Sequence, residues 1–243
     1  MRLENIINIT KTSKLTALCL NIDNQTIEKI KKTDLSDCDI LGLRCKISNK
    51  NEINNIKTLI KEILPNINKP LMICGCGKDD IDSELLPEIM KILDRECIIS
   101  FVTEQNYKKI IPQIIKNNHY AVLKTPIDIN LAKELNILSV EMGLKKDKII
   151  MNTDIGGLGY GYEYGYSIME KIRLEGEKGD QYLDMPIISE ASAEALNTKE
   201  AKIANEETAR IIELSAVSGA IAGGANIVTL EYPQNLKIIK GLI

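Results

Sequence analysis

The sequence predicts an α/β protein folded as a single (β/α)8 TIM barrel spanning residues 1–243. Three observations predict it. Eight short β-type runs recur along the chain, with helical patterns between them. Several of these runs are apolar almost throughout instead of alternating, which suits parallel strands covered on both faces. Run starts lie roughly 20 to 40 residues apart, about one strand plus one right-handed crossover helix, and eight such units make a chain close to the ~250 residues typical of that barrel.

The elements follow in order. LTALCLNI (15–22) is the first run, and Asp23 or Asn24 after it can cap the first helix. ILGLRCKI (40–47) is the second, followed by Ile53, Ile56, Ile60, Ile63 and Leu64 at helical spacing. LMICG (71–75) begins after Pro70, a position where a missing N–H is tolerated, and leads to a stripe of Leu85, Leu86, Ile89, Met90 and Leu93. CIISFV (97–102) precedes Tyr107, Ile110, Ile111, Ile114 and Ile115, a helix that Pro112 should kink or shorten. YAVLK (120–124) leads to a helix capped by Asp128 and ended by Gly143 in a left-handed residue. KIIMN (148–152), PIIS (186–189) and NIVTLEY (226–232) complete the set. The stretch after the seventh run holds enough helical sequence for two pieces, and Ala222-Gly223-Gly224-Ala225 before the eighth reads as a close-packing turn. No internal repeat, low-complexity linker or domain boundary stands out.

Composition narrows the function. Hydrophobic residues at 44% and charged residues at 27% suit a globular chain with a sizeable core. With 31 Lys and Arg against 34 Asp and Glu and no basic block, nucleic-acid binding is not expected. No run reaches the 18 or more apolar residues of a membrane span, and the first 14 residues lack the apolar core of a signal peptide, so a cytoplasmic protein away from membranes is expected. Six cysteines without a short-spaced quartet read as reduced thiols, and a single histidine, His119, excludes a His–His metal pair. Cys74-Gly75-Cys76 reads as two small residues beside a turn, not as half a metal site.

In such a barrel ligands meet the C-terminal ends of the strands. The polar residues there are Asp23, Arg44, Cys76, Thr103, Glu104, Lys124, Thr125, Asn152, Thr153, Asp154, Ser189, Glu190 and Glu231. Lys124 reads either as a Schiff-base amine or, more simply, as a partner of a rim carboxylate. The segment from Asn152 to Tyr166 holds five glycines within ten residues, a loop whose backbone can approach a flat or anionic ligand closely. Its alternative is a tight rim turn on which tyrosines pack. Tyr160, Tyr162, Tyr164 and Tyr166 alternate, so in a helix some of them must face solvent or a partner.

TPIDINLAKELNI (125–137), GLGYGYEYGYSIMEKIRL (157–174) and MPIIS (185–189), with CGCGKDD before the ELLPEIMKIL helix and then FVTEQNYKKI, resemble the small, or delta, subunit of the corrinoid iron–sulfur protein. This is the methyl carrier of the acetyl-CoA decarbonylase/synthase pathway, and the likeness runs from about residue 70 onward. It implies a TIM barrel paired with a large subunit that carries a corrinoid domain and a [4Fe-4S] cluster, with no cluster in this chain. A corrinoid (cobalamin) would lie between the two subunits, and this chain would act as a cap and docking partner, with no catalytic residue of its own. A methyltetrahydrofolate-type methyltransferase and acetyl-CoA synthase would be the further partners. The corrinoid-facing residues would be Thr125, Asp128, Asn152, Thr153, Asp154, Gly156, Gly157, Leu158, Gly159, Tyr160, Ser189 and Glu190. A bulky residue at Gly157 would then weaken corrinoid retention and spare the fold. The chain departs from the pattern where Asn152-Thr153-Asp154-Ile155-Gly156 replaces an Asp-Pro-Thr-Thr-Gly-type turn, and where serine stands at 189 in place of cysteine. Two other classes are a stand-alone pterin-binding barrel methyltransferase using Asn152, Asp154 or Asp128, and a corrinoid-free scaffold.

Overall fold

The computed structural model describes residues 8–126, 128–154 and 156–243. The N-terminal seven residues, Ile127 and Ile155, which belong to segments read above, lie outside the described residues. Eight strands pair in parallel in the order β6-β5-β4-β3-β2-β1-β8-β7. They are β1 (Leu15–Asn21), β2 (Ile40–Arg44), β3 (Leu71–Cys74), β4 (Cys97–Val102), β5 (Tyr120–Lys124), β6 (Ile149–Asn152), β7 (Ile188–Ser189) and β8 (Ile227–Leu230). A single bridge, Met151 to Ile187, with Met151 N donating to Pro186 O at 2.8 Å, joins β6 to the β7 edge and closes the circle. The expected (β/α)8 barrel is therefore the observed one.

Outside the barrel run α1 (Thr26–Lys32), α2 (Ile53–Ile63), α3 (Asp79–Met90), α4 (Tyr107–Asn117), α5 (Ile129–Glu141) and α6 (Tyr162–Glu177). After β7 come α7 (Ala191–Leu196), α8 (Lys199–Ile203) and α9 (Glu206–Ala222), three helices where two were expected, and α10 (Pro233–Lys240) follows β8. The extra break is chemical: Thr198 caps α8 through Ala201 N, and Asn205 caps α9 through Thr208 N. None of the helices among the described residues is long and apolar enough to cross a membrane.

Alternation along each strand separates two cores. Outward residues such as Leu18, Leu41, Leu43, Ile73, Ile99 and Leu123 pack with the helix stripes. Inward residues Ala17, Cys19, Ile40, Met72, Ile98, Val122, Ile150, Ile188 and Ile227 fill the barrel, and Ile9 closes it from below. Asn226 secures that closure by donating to Lys11 O at 2.7 Å and Ser13 O at 3.1 Å.

Local expectations divide. Asp128 caps α5, accepting from Asn130 N and Leu131 N, and Gly143 follows it at φ 102°. At α1 the cap position falls on Gln25, which makes no side-chain cap bond; Asp23 accepts from Gln25 N at 2.8 Å and pairs with Lys29 at 2.5 Å. Pro112 does not shorten α4. Its ring is exposed, Lys108 four residues earlier is also exposed, and the carbonyl deprived of its donor is near water while Ile110, Ile111 and Ile114 anchor the buried side. The Gly223 turn is close-packed as expected, since a Cβ there would stand 2.9 Å from the Tyr166 ring.

His119 lies at the opposite end from the strand C-termini, before β5, with Nδ1 accepting from Cys97 N at 3.2 Å. Burial, helped by the charge of Lys148, pushes its imidazole pKa down to about 4. The folded value lies below the unfolded ~6.5, so the unfolded chain takes up the proton first and stability is lost as pH falls between those values, by up to about 3 kcal/mol. Urea unfolding of wild type and His119→Gln from pH 7 to 4 should show the wild type losing about that much relative to the variant; a pH-independent difference would mean that the imidazole titrates alike in the folded and unfolded chain.

Candidate functional site

At the C-terminal end, the inward positions change character. Register places Asn21 beside Arg44, Arg44 beside Cys74, Cys74 beside Ser100, and Lys124 beside Asn152. Glu190, two residues beyond inward Ile188, and Thr229, two beyond inward Ile227, have the same parity. Each strand thus brings one polar or thiol side chain to a ring above the apolar fill.

Two ion pairs brace this ring: Arg44 Nη1 donates to Glu231 Oε1 at 2.5 Å, and Lys124 Nζ lies 3.5 Å from Glu194 Oε1. Lys124 also stands 4.5 Å from the Phe101 ring centroid. It therefore takes the simpler of its two readings, a lysine paired to a carboxylate.

Asp154 links the ends of β6 and β7. Its Oδ1 accepts from Ser189 Oγ at 2.9 Å, and its Oδ2 accepts from Glu190 N at 2.5 Å and Asn152 Nδ2 at 3.0 Å. Burial raises its carboxyl pKa against the pull of these donors. Glu190, 2% exposed, is pushed up to about 7 by burial, with Lys124 and Arg44 pulling the other way. Its Oε1 has no hydrogen-bond partner among the described residues, and the same holds for the buried atoms Asn21 Oδ1, Arg44 Nη2, Ser100 Oγ and Thr229 Oγ1. Four strands and the residue just past β7 each present an unmet polar atom to the mouth, a demand that water or a ligand would meet, since an unpaired buried polar group costs about 1–3 kcal/mol.

The structure sorts the residues picked from sequence. Asn152, Asp154, Ser189 and Glu190 come together in this network. Thr153 is buried with its hydroxyl 3.5 Å from Gly165 O, and Thr125 is buried with a hydroxyl that has no partner among the described residues. Asp128 is exposed and occupied in capping α5. Thr103 donates to Asp79 at 2.5 Å, and Cys76 N and Gly77 N donate to Asp82 at 2.8 and 2.9 Å.

The glycine loop is corrected in part. A Cβ on Gly156 would stand 2.2 Å from Tyr160 O, and one on Gly157 would stand 2.6 Å from Thr198 Cγ2 and 2.7 Å from Glu194 O. These two glycines serve close approach between protein segments, so a bulky residue at Gly157 does not spare the fold. Gly159, at φ 76° with open space around it, and the exposed Leu158 and Tyr160 are the part that faces outward. Of the other tyrosines, Tyr162 donates to Ala216 O at 2.7 Å and Tyr164 is exposed. Sequence reasoning passed over Asn21, Ser100, Thr229, Phe101 and Glu194. Single polar residues at inward positions of otherwise apolar runs were the available signal for the first three.

The class comes first from the fold. The structure is similar to dihydropteroate synthase from Thermus thermophilus, with a TM-score of 0.72 at 11% identity over 96% of this chain and 94% of that one. It is also similar to the enzyme of that name from Vibrio fischeri, with a TM-score of 0.69 at 14% identity over 98% and 95%. At such identity the likeness is one of fold, a parallel eight-stranded barrel of the dihydropteroate synthase type. The sequence then places it more narrowly: residues 5–231 match the model of the CO dehydrogenase/acetyl-CoA synthase delta subunit, and the chain belongs to that family. The match extends the likeness, first placed from residue 70, over the N-terminal third. Subunit delta of the acetyl-CoA decarbonylase/synthase complex from Methanocaldococcus jannaschii is 32% identical over 151 residues, 61% of this chain and 37% of the relative. That from Methanopyrus kandleri is 30% identical over 132 residues, 54% and 33%. The matched stretch is thus about a third of the length of these relatives.

Two substitutions test the network. Gly157→Val should lower the unfolding free energy by about 1–3 kcal/mol through overpacking on α7 and α8, and equality with wild type in chemical denaturation would show that Thr198 and Ala195 give way. Asp154→Asn should cost about 1–3 kcal/mol, because an amide NH2 would face the donors from Ser189 and Glu190; a loss near zero would remove Asp154 from the seam.

Proposed function

We propose that the chain is the cap subunit of a cytoplasmic corrinoid methyl carrier within an acetyl-CoA decarbonylase/synthase-type system. Family membership supports a role in that complex, and the observation that carries the finer reading is the loop after β6, where Leu158, Gly159 and Tyr160 stand exposed beside α8, Tyr160 donating to Glu200 at 3.0 Å. Such a stretch suits contact with a flat, largely apolar macrocycle face.

The residues fit a corrinoid as a cap and not as its holder. His119, the one imidazole, is buried at the far end of the barrel, so the rim offers no imidazole ligand to a cobalt ion. Cys19, Cys38, Cys45, Cys74 and Cys97 are buried, and no group of three or more His, Cys, Asp or Glu suited to a metal occurs among the described residues. A partner subunit would hold the corrinoid and the [4Fe-4S] cluster. The corrinoid, when bound, would supply the cobalt that accepts and releases the methyl group, from a methyl-tetrahydropterin methyltransferase to acetyl-CoA synthase. This chain's part is to cover one face, exclude water there and dock the partner.

The stand-alone pterin methyltransferase has less support. Asn152 and Asp154 are bonded to each other and to β7, and Asp128 caps α5, so the residues on which it depends are engaged inside the protein.

Anaerobic gel filtration of this chain with the corrinoid/iron–sulfur partner subunit of the same source, loaded with hydroxocobalamin, tests the reading. The two chains should co-elute with a visible corrinoid band, and Leu158→Glu with Tyr160→Ala should lower corrinoid retention at least about fivefold, the equivalent of ~1 kcal/mol, without changing thermal stability. Separate elution of wild type and partner removes the cap role, and methyltetrahydrofolate binding by the isolated chain would favour the methyltransferase.

A further inference from the structure

Beside the barrel mouth, the loops after β3, β4 and β5 enclose a cleft of about 310 Å³, at the lower end of the range of small-molecule sites. Its apolar wall is Phe101, Pro126 and Leu131, and Lys124 lines it as well. We propose that this cleft binds a small, uncharged, planar molecule with a carboxamide-type edge, whose carbonyl accepts from Lys124 and whose ring lies against Phe101, Pro126 and Leu131. The site stands apart from the rim residues of the cap and does not depend on that role.

Charge selects the class. Asp79, Asp82 and Glu104 line the cleft against one ammonium, so an anion meets a surplus of carboxylate. A cation fares no better. The Lys124 ammonium already lies 4.5 Å from the Phe101 centroid, where a second positive charge on the apolar wall would meet it. Two of the three acidic groups are also engaged: Asp79 Oδ1 accepts from Thr103 Oγ1 and Asn106 Nδ2, and Asp82 accepts from two backbone N–H groups. What remains is an apolar wall with a strong donor at its end, which complements a neutral acceptor on a flat ring.

Lys124 is placed to give that bond. Its hydrogen bond to Glu194 is long, 3.5 Å, and an ammonium has three hydrogens to donate. The same side chain stands in the mouth ring beside Asn152, so the cleft adjoins the ring of unmet polar atoms. Two independent features, an apolar-walled cavity and a polar ring lacking partners, therefore meet at one lysine.

Benzamide, benzoate and benzamidine share size and shape and differ in charge, which makes them suitable probes. Titration of the full chain followed by ligand-observed NMR should give millimolar binding of benzamide, at least about fivefold tighter than either charged probe. Lys124→Met should weaken benzamide at least about tenfold, the scale of one hydrogen bond to a charged group. Leu131→Gln, on the half-buried face of α5, provides a second variant that leaves the barrel strands untouched and should weaken all three probes. Benzoate or benzamidine binding as tightly as benzamide overturns the proposed class. Undetectable benzamide binding to the folded wild type, or unchanged benzamide affinity in both variants, overturns the site.

Discussion

The closed circle of strands is the constraint on which the rest of the structure depends. Once eight parallel strands meet around an axis, every second side chain points into a space too narrow for solvent, and the strand has to be apolar there. Ala17, Ile40, Met72, Ile98, Val122, Ile150, Ile188 and Ile227 obey that demand. The same geometry gathers the next inward residues of all eight strands within reach of one another. A mouth rich in polar groups is then a result of where each strand stops being apolar, and the helices outside only hold the strands at that register.

Burial and polarity conflict at this mouth, and the carboxylates show how the conflict is met. Asp154 is fully inside yet surrounded by donors from Ser189, Glu190 and Asn152. Glu213, on α9, is likewise buried and accepts from Ser192, Glu231 N and Asn235, which ties α9 to the end of β8. Glu190 lacks such a shell on Oε1 among the described residues, and burial pushes its carboxyl pKa up to about 7. One barrel end thus contains both structural carboxylates and one whose bonding is incomplete.

The fold was legible because its signal is repeated eight times. Covered parallel strands read as apolar runs, and all eight runs became strands with ends shifted by at most a few residues. Pro112 misled because sequence alone does not show that its ring faces solvent, and the third helix after β7 was hidden because a six-residue helix leaves little periodicity. In the site, Asn152, Asp154, Ser189 and Glu190 were visible as polar residues at or just past the ends of their strands. Asn21, Ser100 and Thr229 were not, since each sits within an apolar run and only the barrel's inward direction gives it meaning. Gly156 and Gly157 were misread for a related reason: a missing Cβ admits a neighbouring protein segment as readily as a ligand.

The seam between β6 and β7 has a consequence for how such a protein can diverge. β7 is two residues long, and a single backbone bridge joins its edge to β6, so the Asp154 side chain carries much of the lacing there. One of the carboxyls at the mouth is thus also a stitch in the wall. Changes that retune the mouth at this position loosen the circle itself, whereas the side chains of Lys124 and Glu190 stand on the mouth and take no part in that seam, to which Glu190 contributes only its backbone N–H. Descendants of this barrel are therefore freer to explore new chemistry from β5 and from the start of α7 than from the end of β6.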